Sequence, residues 1–170
     1  MLIGIISDTH DNIPNIEKAL TWFTKQGIKI ILHCGDICAP SSFIKTLVGK
    51  FPGTIHHVFG NVDGDRFLIH KLTSESGRDD VFLHGEVAEI EIDGKKIAMN
   101  HYPDIAKRLA ESSAYDLVCY GHNHTQAVET VGKTVLLNPG TLGGLFAPAT
   151  LATYDTATGE VTLLGINDIT

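Results

Sequence analysis

The residues best suited to chemistry are carboxylates, an amide and imidazoles placed just after apolar runs: Asp8, His10, Asp36, Asn61, His101, His122 and His124. Asp8 and His10 stand two apart in Ser7-Asp8-Thr9-His10, and Gly121-His122-Asn123-His124 repeats that spacing. Residues two apart on an extended chain point to one side, so Asp8 and His10 can close on one ion. The set is too large for one tetrahedral ion. It suits two ions that share a carboxylate, ~3.5–4 Å apart, which clamp a phosphoryl group and activate water. Mixed oxygen and imidazole donors favour Mn, Fe, Co, Ni or Zn over Mg or Ca. Alone, a strand-end Asp is more often a turn residue or a cap. The joint pattern reverses that reading for Asp8 and Asp36.

These residues need elements that bring them together. Residues 2–7 form a near-continuous apolar run, the mark of a strand covered on both faces. Asn12 and Pro14 open a helix carrying Ile16, Leu20 and Phe23, and Gly27 can end it. A strand over 28–33 leads to Gly35-Asp36. A helix from Pro40 carries Phe43, Ile44, Leu47 and Val48. A strand over 54–59 leads to Gly60-Asn61-Val62-Asp63. A short helix over 64–72 and a polar loop over 73–80 follow. This βαβαβα order implies a parallel sheet with right-handed crossovers. The second half opens with a hairpin over 87–99 turning at Asp93-Gly94. Then come a helix from Pro103, a strand over 117–120, and strands over 125–130, 134–137, 150–154 and 161–166, the last four read as an antiparallel sheet. Gly35, Gly60 and Gly121 each precede a candidate ligand, where a sharp turn or close backbone approach is needed.

Bulk properties bound the partners. A chain of 170 residues with 43% hydrophobic and 19% charged residues fits a single globular domain over 1–170. No run approaches the ~18 apolar residues that span a bilayer, and no signal peptide is visible, so a cytoplasmic location is expected with no membrane partner. The formal charge of −7 argues against a long nucleic acid, while a small phosphorylated substrate stays compatible through the metals. Cys34, Cys38 and Cys119 match no zinc-finger spacing and read as reduced structural thiols. His33, His56, His57, His70 and His84 read as structural or surface residues. Asp63 has two open roles, orienting a ligand or contacting substrate on one reading and capping the next helix on the other. The apolar loop over 143–148 reads as core packing, with a substrate wall or subunit contact as the alternatives. Self-association stays open.

Asp8-x-His10, Gly35-Asp36, Gly60-Asn61-x-Asp63, His101 and Gly121-His122-x-His124 together resemble the calcineurin-like metallophosphoesterases. Chain length, the opening Ser7-Asp8-Thr9-His10 and Asn138-Pro139-Gly140-Thr141 resemble the small YfcE-like phosphodiesterases within them. The resemblance implies a four-layer αββα sandwich, an α/β (α+β) fold in which two mixed sheets pack face to face with helices outside. It implies one ion on Asp8, His10, Asp36 and His124, and another on Asp36, Asn61, His101 and His122. The resemblance further implies that Asp36 would bridge them, that Mn²⁺ would be the foremost metal, and that Asp36, Asn61 and His101 would serve catalysis. The implied reaction is hydrolysis of a small phosphodiester by a hydroxide held between the ions. Two features depart from the family pattern. Val62 stands where many relatives carry a His that protonates the leaving group, and Asn100 stands where Gly is common. The alternatives are a non-catalytic scaffold, like the retromer subunit of this fold, and a nuclease or phosphomonoesterase. Completeness of the ligand set favours an enzyme.

Overall fold

The computed structural model describes residues 1–170. Its first half alternates strand and helix: β1 (Leu2–Ile6), α1 (Ile13–Lys25), β2 (Ile30–His33), α2 (Pro40–Ser42), β3 (Thr54–His57), α3 (Arg66–Glu75) and β4 (Val81–Leu83). The second half supplies β5 (Val87–Ile92), β6 (Lys95–Asn100), α4 (Pro103–Glu111), β7 (Leu117–Cys119), β8 (Ala127–Val131), β9 (Thr134–Asn138), β10 (Thr150–Asp155) and β11 (Val161–Gly165).

Local chemistry accounts for most of these bounds. Asn12 caps α1 by accepting the Asn15 N–H at 3.3 Å, and Gly27 leaves the helix with φ +72°. α2 widens into π-type turns over Phe43–Val48, which bury Phe43, Thr46, Leu47 and Val48. α3 starts and ends later than the sequence suggests. Asp65 is its cap, accepting the Leu68 N–H at 2.9 Å. Thr73 is buried on the same helix and prolongs it into the stretch expected to be a polar loop. The brief β4 has too few residues to show a period and was not expected.

One sheet runs β11-β10-β1-β2-β3-β4, the other β5-β6-β7-β9-β8, and both mix parallel and antiparallel pairs. The four C-terminal strands do not form one antiparallel sheet. β8 and β9 pair in the second sheet, whereas β10 crosses to lie antiparallel to β1 in the first. Alternation along a strand marks its faces and not its partner. β10 is buried from Thr150 to Tyr154 and satisfies its backbone only between two strands.

Three apolar layers hold the sheets and helices together. Ile6, Ile31 and Ile55 meet Ile16, Leu20, Phe23, Phe43, Leu47 and Ile69 under the first set of helices. Ile3, Ile5 and Leu32 face Ile97, Met99, Leu117 and Leu137 between the sheets. Ala98, Val118 and Leu136 meet Ala106 and Ala110 of α4. Successive residues of β1 and β2 thus enter different layers, which explains their unbroken apolar runs. Each buried aliphatic side chain contributes roughly 1.5–3 kcal/mol. The resulting order is helices, sheet, sheet, helix. β1, β2 and β3 run parallel, as do β6 and β7, and their carboxyl ends carry the candidate ligands.

Candidate metal centre

The loops after these strands are held in conformations that side chains rarely adopt. Asp8 (φ 49°), His10 (φ 41°), Asp36 (φ 64°), His122 (φ 73°) and His124 (φ 59°) are all left-handed. Each costs roughly 1–3 kcal/mol and persists only where surroundings overdetermine it. The Asp8 N–H donates to the Gly35 carbonyl and the His10 N–H to the Asp36 carbonyl, both at 3.0 Å. Gly143 N–H (2.9 Å) and Thr141 Oγ1 (2.8 Å) both donate to the Asp8 carbonyl. Two glycines permit the close approach. A Cβ on Gly60 would fall onto Asp36 Oδ1, and one on Gly121 onto Ser7 Oγ and Asp8 Oδ2.

All the residues expected from the sequence converge. His10 Nε2 lies 3.1 Å from His124 Nε2, and Asp8 Oδ1 lies 4.0 and 3.3 Å from those two atoms. Asp36 Oδ2 lies 3.3 Å from His101 Nε2, which is 3.1 Å from Asn61 Oδ1; that oxygen is 2.9 Å from His122 Nδ1. Two groups of atoms lie close enough to share an ion: Asp8 with His10 and His124, and Asp8 with Asp36 and His101. Asp8 is common to both.

The donor chemistry fits divalent cations. His101 Nδ1–H donates to the Cys34 carbonyl and His124 Nδ1–H to the Leu145 carbonyl, both at 2.8 Å. A neutral ring so tethered turns a bare Nε2 inward. For His101 that nitrogen faces oxygens of Asp36 and Asn61, a meeting of acceptors that a cation or a proton resolves. Burial opposes charge on His101, yet the Asp36 hydrogen bond and charge outweigh it and raise the ring's pKa. Burial likewise opposes charge on Asp36, but the His101 hydrogen bond, the Val62 N–H at 3.0 Å and the His101 charge hold its carboxyl below the usual range. Asp8 is different: burial dominates and raises it. A metal bound at these nitrogens and oxygens would compete with protons for them.

Support residues lie behind the ligands. Asp63 is buried and accepts N–H groups from Asp36 (2.9 Å), Ile37 (2.8 Å) and Gly60 (2.7 Å). It therefore ties the Asp36 loop to the Asn61 loop, and of its two open roles the structure selects orientation. His57 Nδ1 lies 3.1 Å from His33 Nδ1, and both rings are fully buried beneath these loops. Burial lowers His33 to about 3 and His57 to about 4, so both are neutral. Sequence reasoning read these histidines as structural or surface residues and missed that their tilted rings pack together, with centroids 4.8 Å apart, next to Asp63, since nothing local marks two strand residues as partners. It also missed Asp11, whose carboxylate accepts the Ala39 N–H at 3.1 and 3.2 Å and sets the start of α2. The three cysteines are free. Cys38 lies 3.5 Å from His10 Nδ1, and burial with nearby Asp11 and Asp36 pushes its thiol up to about 11, which keeps it protonated. No helix is long and apolar enough to cross a membrane.

Comparison with known proteins identifies the family. Residues 1–159 match the family model of the calcineurin-like phosphoesterase superfamily domain. The chain is 32% identical over 163 residues to the phosphodiesterase MJ0936 of Methanocaldococcus jannaschii, covering 94% of this chain and 96% of that protein. A solved structure described as a novel archaeal phosphodiesterase superposes with a TM-score of 0.89 at 28% identity, over 97% of this chain and 99% of its own. YfcE, a phosphoesterase from E. coli, shares the fold with a TM-score of 0.72 at 19% identity, over 100% and 96% of the two chains. The chain belongs to the calcineurin-like phosphoesterase superfamily, an enzyme family that hydrolyses phosphoric esters.

Proposed function

We propose that the protein hydrolyses a small phosphodiester at a centre of two divalent transition-metal ions, with Mn²⁺ foremost. Asp8, His10, Asp36 and His124 would hold one ion. Asp36, Asn61, His101 and His122 would hold the other. The observation that carries this reading is the convergence of carboxylate oxygens with bare imidazole nitrogens whose other ring N–H is spent on a backbone carbonyl. When bound, the ions supply Lewis-acid charge for a phosphate oxygen and make water acidic enough to attack at neutral pH.

The chain's own residues complete the site. The Cys34 carbonyl fixes the His101 tautomer. Asp63 holds the Asp36 and Gly60 backbones in register with Asn61. The Val62 N–H steadies Asp36, while its side chain carries no proton for a leaving oxygen. Missing general-acid help typically costs 10²–10⁴-fold, so esters with good leaving groups, such as aryl esters, are the preferred substrates. Sharing of Asp36 between the ions follows from the family resemblance. Membership of Asp8 in both groups of ligand atoms makes Asp8 its rival for that role.

The test is metal analysis of the purified protein, followed by a panel of phosphodiesters and phosphomonoesters under Mn²⁺, Ni²⁺ and Zn²⁺. Two ions per chain with diesters cleaved faster than monoesters is the expected outcome. Two bound ions without hydrolysis of any ester would favour the scaffold reading instead.

A further inference from the structure

Phe146 is 93% exposed, more than any other large apolar residue of the chain, and it stands beside the metal centre. Its ring lies against the His124 imidazole, with centroids 5.6 Å apart and planes 28° apart. Its backbone is left-handed (φ 63°), a conformation that a phenylalanine rarely adopts. Burial of apolar surface would draw this side chain inward, so its position needs another cause.

The loop that carries it is fixed. The Leu145 carbonyl accepts His124 Nδ1–H at 2.8 Å, the Gly143 carbonyl accepts Asn12 Nδ2–H at 2.8 Å, and Thr141 bridges Ala149 at its base. The phenyl ring therefore offers one face to a candidate metal ligand and the other to solvent. Across the centre the Tyr102 ring lies 5.3 Å from that of His122, and Val62 is 41% exposed. The mouth is thus apolar on two sides above a charged floor. Ala147 and Pro148, next in the loop, help to line a hollow of about 150 Å³ together with His124, Thr125, Gln126 and Thr150.

We propose that Phe146 stacks against a planar aromatic group on the substrate, which makes the substrate class phosphate esters of nucleosides or aryl alcohols. The proposal rests on the phosphoesterase reading above. A phosphate bound at the ion that Asp8, His10 and His124 would hold leaves its ester substituent within reach of the open phenyl face, and ring stacking is tolerant of ring identity.

Calorimetry on the Mn²⁺-loaded protein tests this with thymidine 5′-monophosphate, phenyl phosphate and methyl phosphate. In the wild type both ring-bearing ligands should bind about tenfold tighter than methyl phosphate, the lower part of the range for base–aromatic stacking. Phe146→Ala should bring that advantage within about twofold while leaving methyl phosphate unchanged, and Phe146→Trp should restore it. An excess for thymidine monophosphate over phenyl phosphate names a nucleotide as the source; equality names any aryl ester. Methyl phosphate that binds as tightly as the others, or a ring preference that survives Phe146→Ala, overturns the stacking role and leaves the phosphoesterase reading intact. Failure of all three ligands to bind overturns both.

Discussion

At the scale of single residues, the two carboxylates of the centre differ in environment, and the difference is testable. Asp36 is held ionised by His101 and the Val62 N–H, whereas burial works against ionisation of Asp8. If Asp36 is the shared ligand, Asp36→Asn should remove both ions and lower turnover by about 100-fold or more, a loss of the size seen when metal-site partners are removed. Asp8→Asn should then remove only the ion between His10 and His124. The reverse pattern in the bound metal counts would transfer the shared role to Asp8. Val62 sets a second prediction. Val62→His should raise turnover by about tenfold or more on esters with poor leaving groups, and far less on p-nitrophenyl esters. Equal gains on both would show that proton donation is not what the site lacks. Asp63 is a positioning residue: its carboxylate touches backbone N–H groups and no ligand side chain. Asp63→Asn should weaken metal affinity about 10- to 100-fold, read by competitive metal titration.

At the scale of elements, the site depends on how closely two strand-end loops approach. Gly60 and Gly121 stand where an added methyl would meet the Asp36 carboxylate and the Ser7 hydroxyl. Neither glycine has a positive φ, so space and not backbone strain is the cause. Gly60→Ala should therefore displace Asp36 and lower metal content, with a stability loss of about 1–3 kcal/mol typical of overpacking. Gly77, also a glycine but with open space around its Cβ position, is the comparison, although its φ of +72° adds a backbone cost. Urea unfolding together with metal counts separates the two causes: Gly77→Ala should lose stability alone, and Gly60→Ala both. Wild-type metal content in Gly60→Ala would show that the loops have room to part.

At the scale of the whole molecule, buried neutral histidines tie stability to pH. His33 is lowered to about 3, and His56 and His57 to about 4, each chiefly by burial. Their unfolded values lie near 6.5. Between these limits the unfolded chain binds protons that the folded chain does not, so stability rises with pH. The contribution is complete above pH ~6.5 and is lost as pH falls from there toward 4. Each extra proton taken up by the unfolded chain removes about 1.4 kcal/mol per pH unit. Urea midpoints measured in metal-free protein should therefore fall through this window, and less steeply in a His56→Gln variant, whose half-buried ring stacks against Phe82 and His84 on the first sheet. Chelation supplies an independent check. If two ions bind the folded chain alone, removing them from a solution at 100 times the dissociation constant costs about 2.7 kcal/mol for each site. An unchanged melting temperature after chelation would mean that the centre holds no metal tightly.

Much of this molecule was legible in its sequence because the information was local. Apolar runs ending in Gly35-Asp36, Gly60-Asn61 and Gly121-His122 identify strands, turns and donors together, and the Asp93-Gly94 turn and the Asn12 cap form where their side chains dictate. The candidate donor atoms are named by residue type alone, since a carboxylate and an imidazole can bind metal wherever they converge. Tertiary structure decided what depends on partners distant in the chain. It sent β10 to β1 rather than to β9, because strand alternation names a face and leaves the neighbour open. It made Asp63 a tie between two loops rather than a helix cap, because three N–H groups from two loops meet only after β2 and β3 pair. It left Phe146 outside the core, because the His124 hydrogen bond to Leu145 holds that loop at the mouth of the centre, where an apolar sequence by itself would have been read as buried.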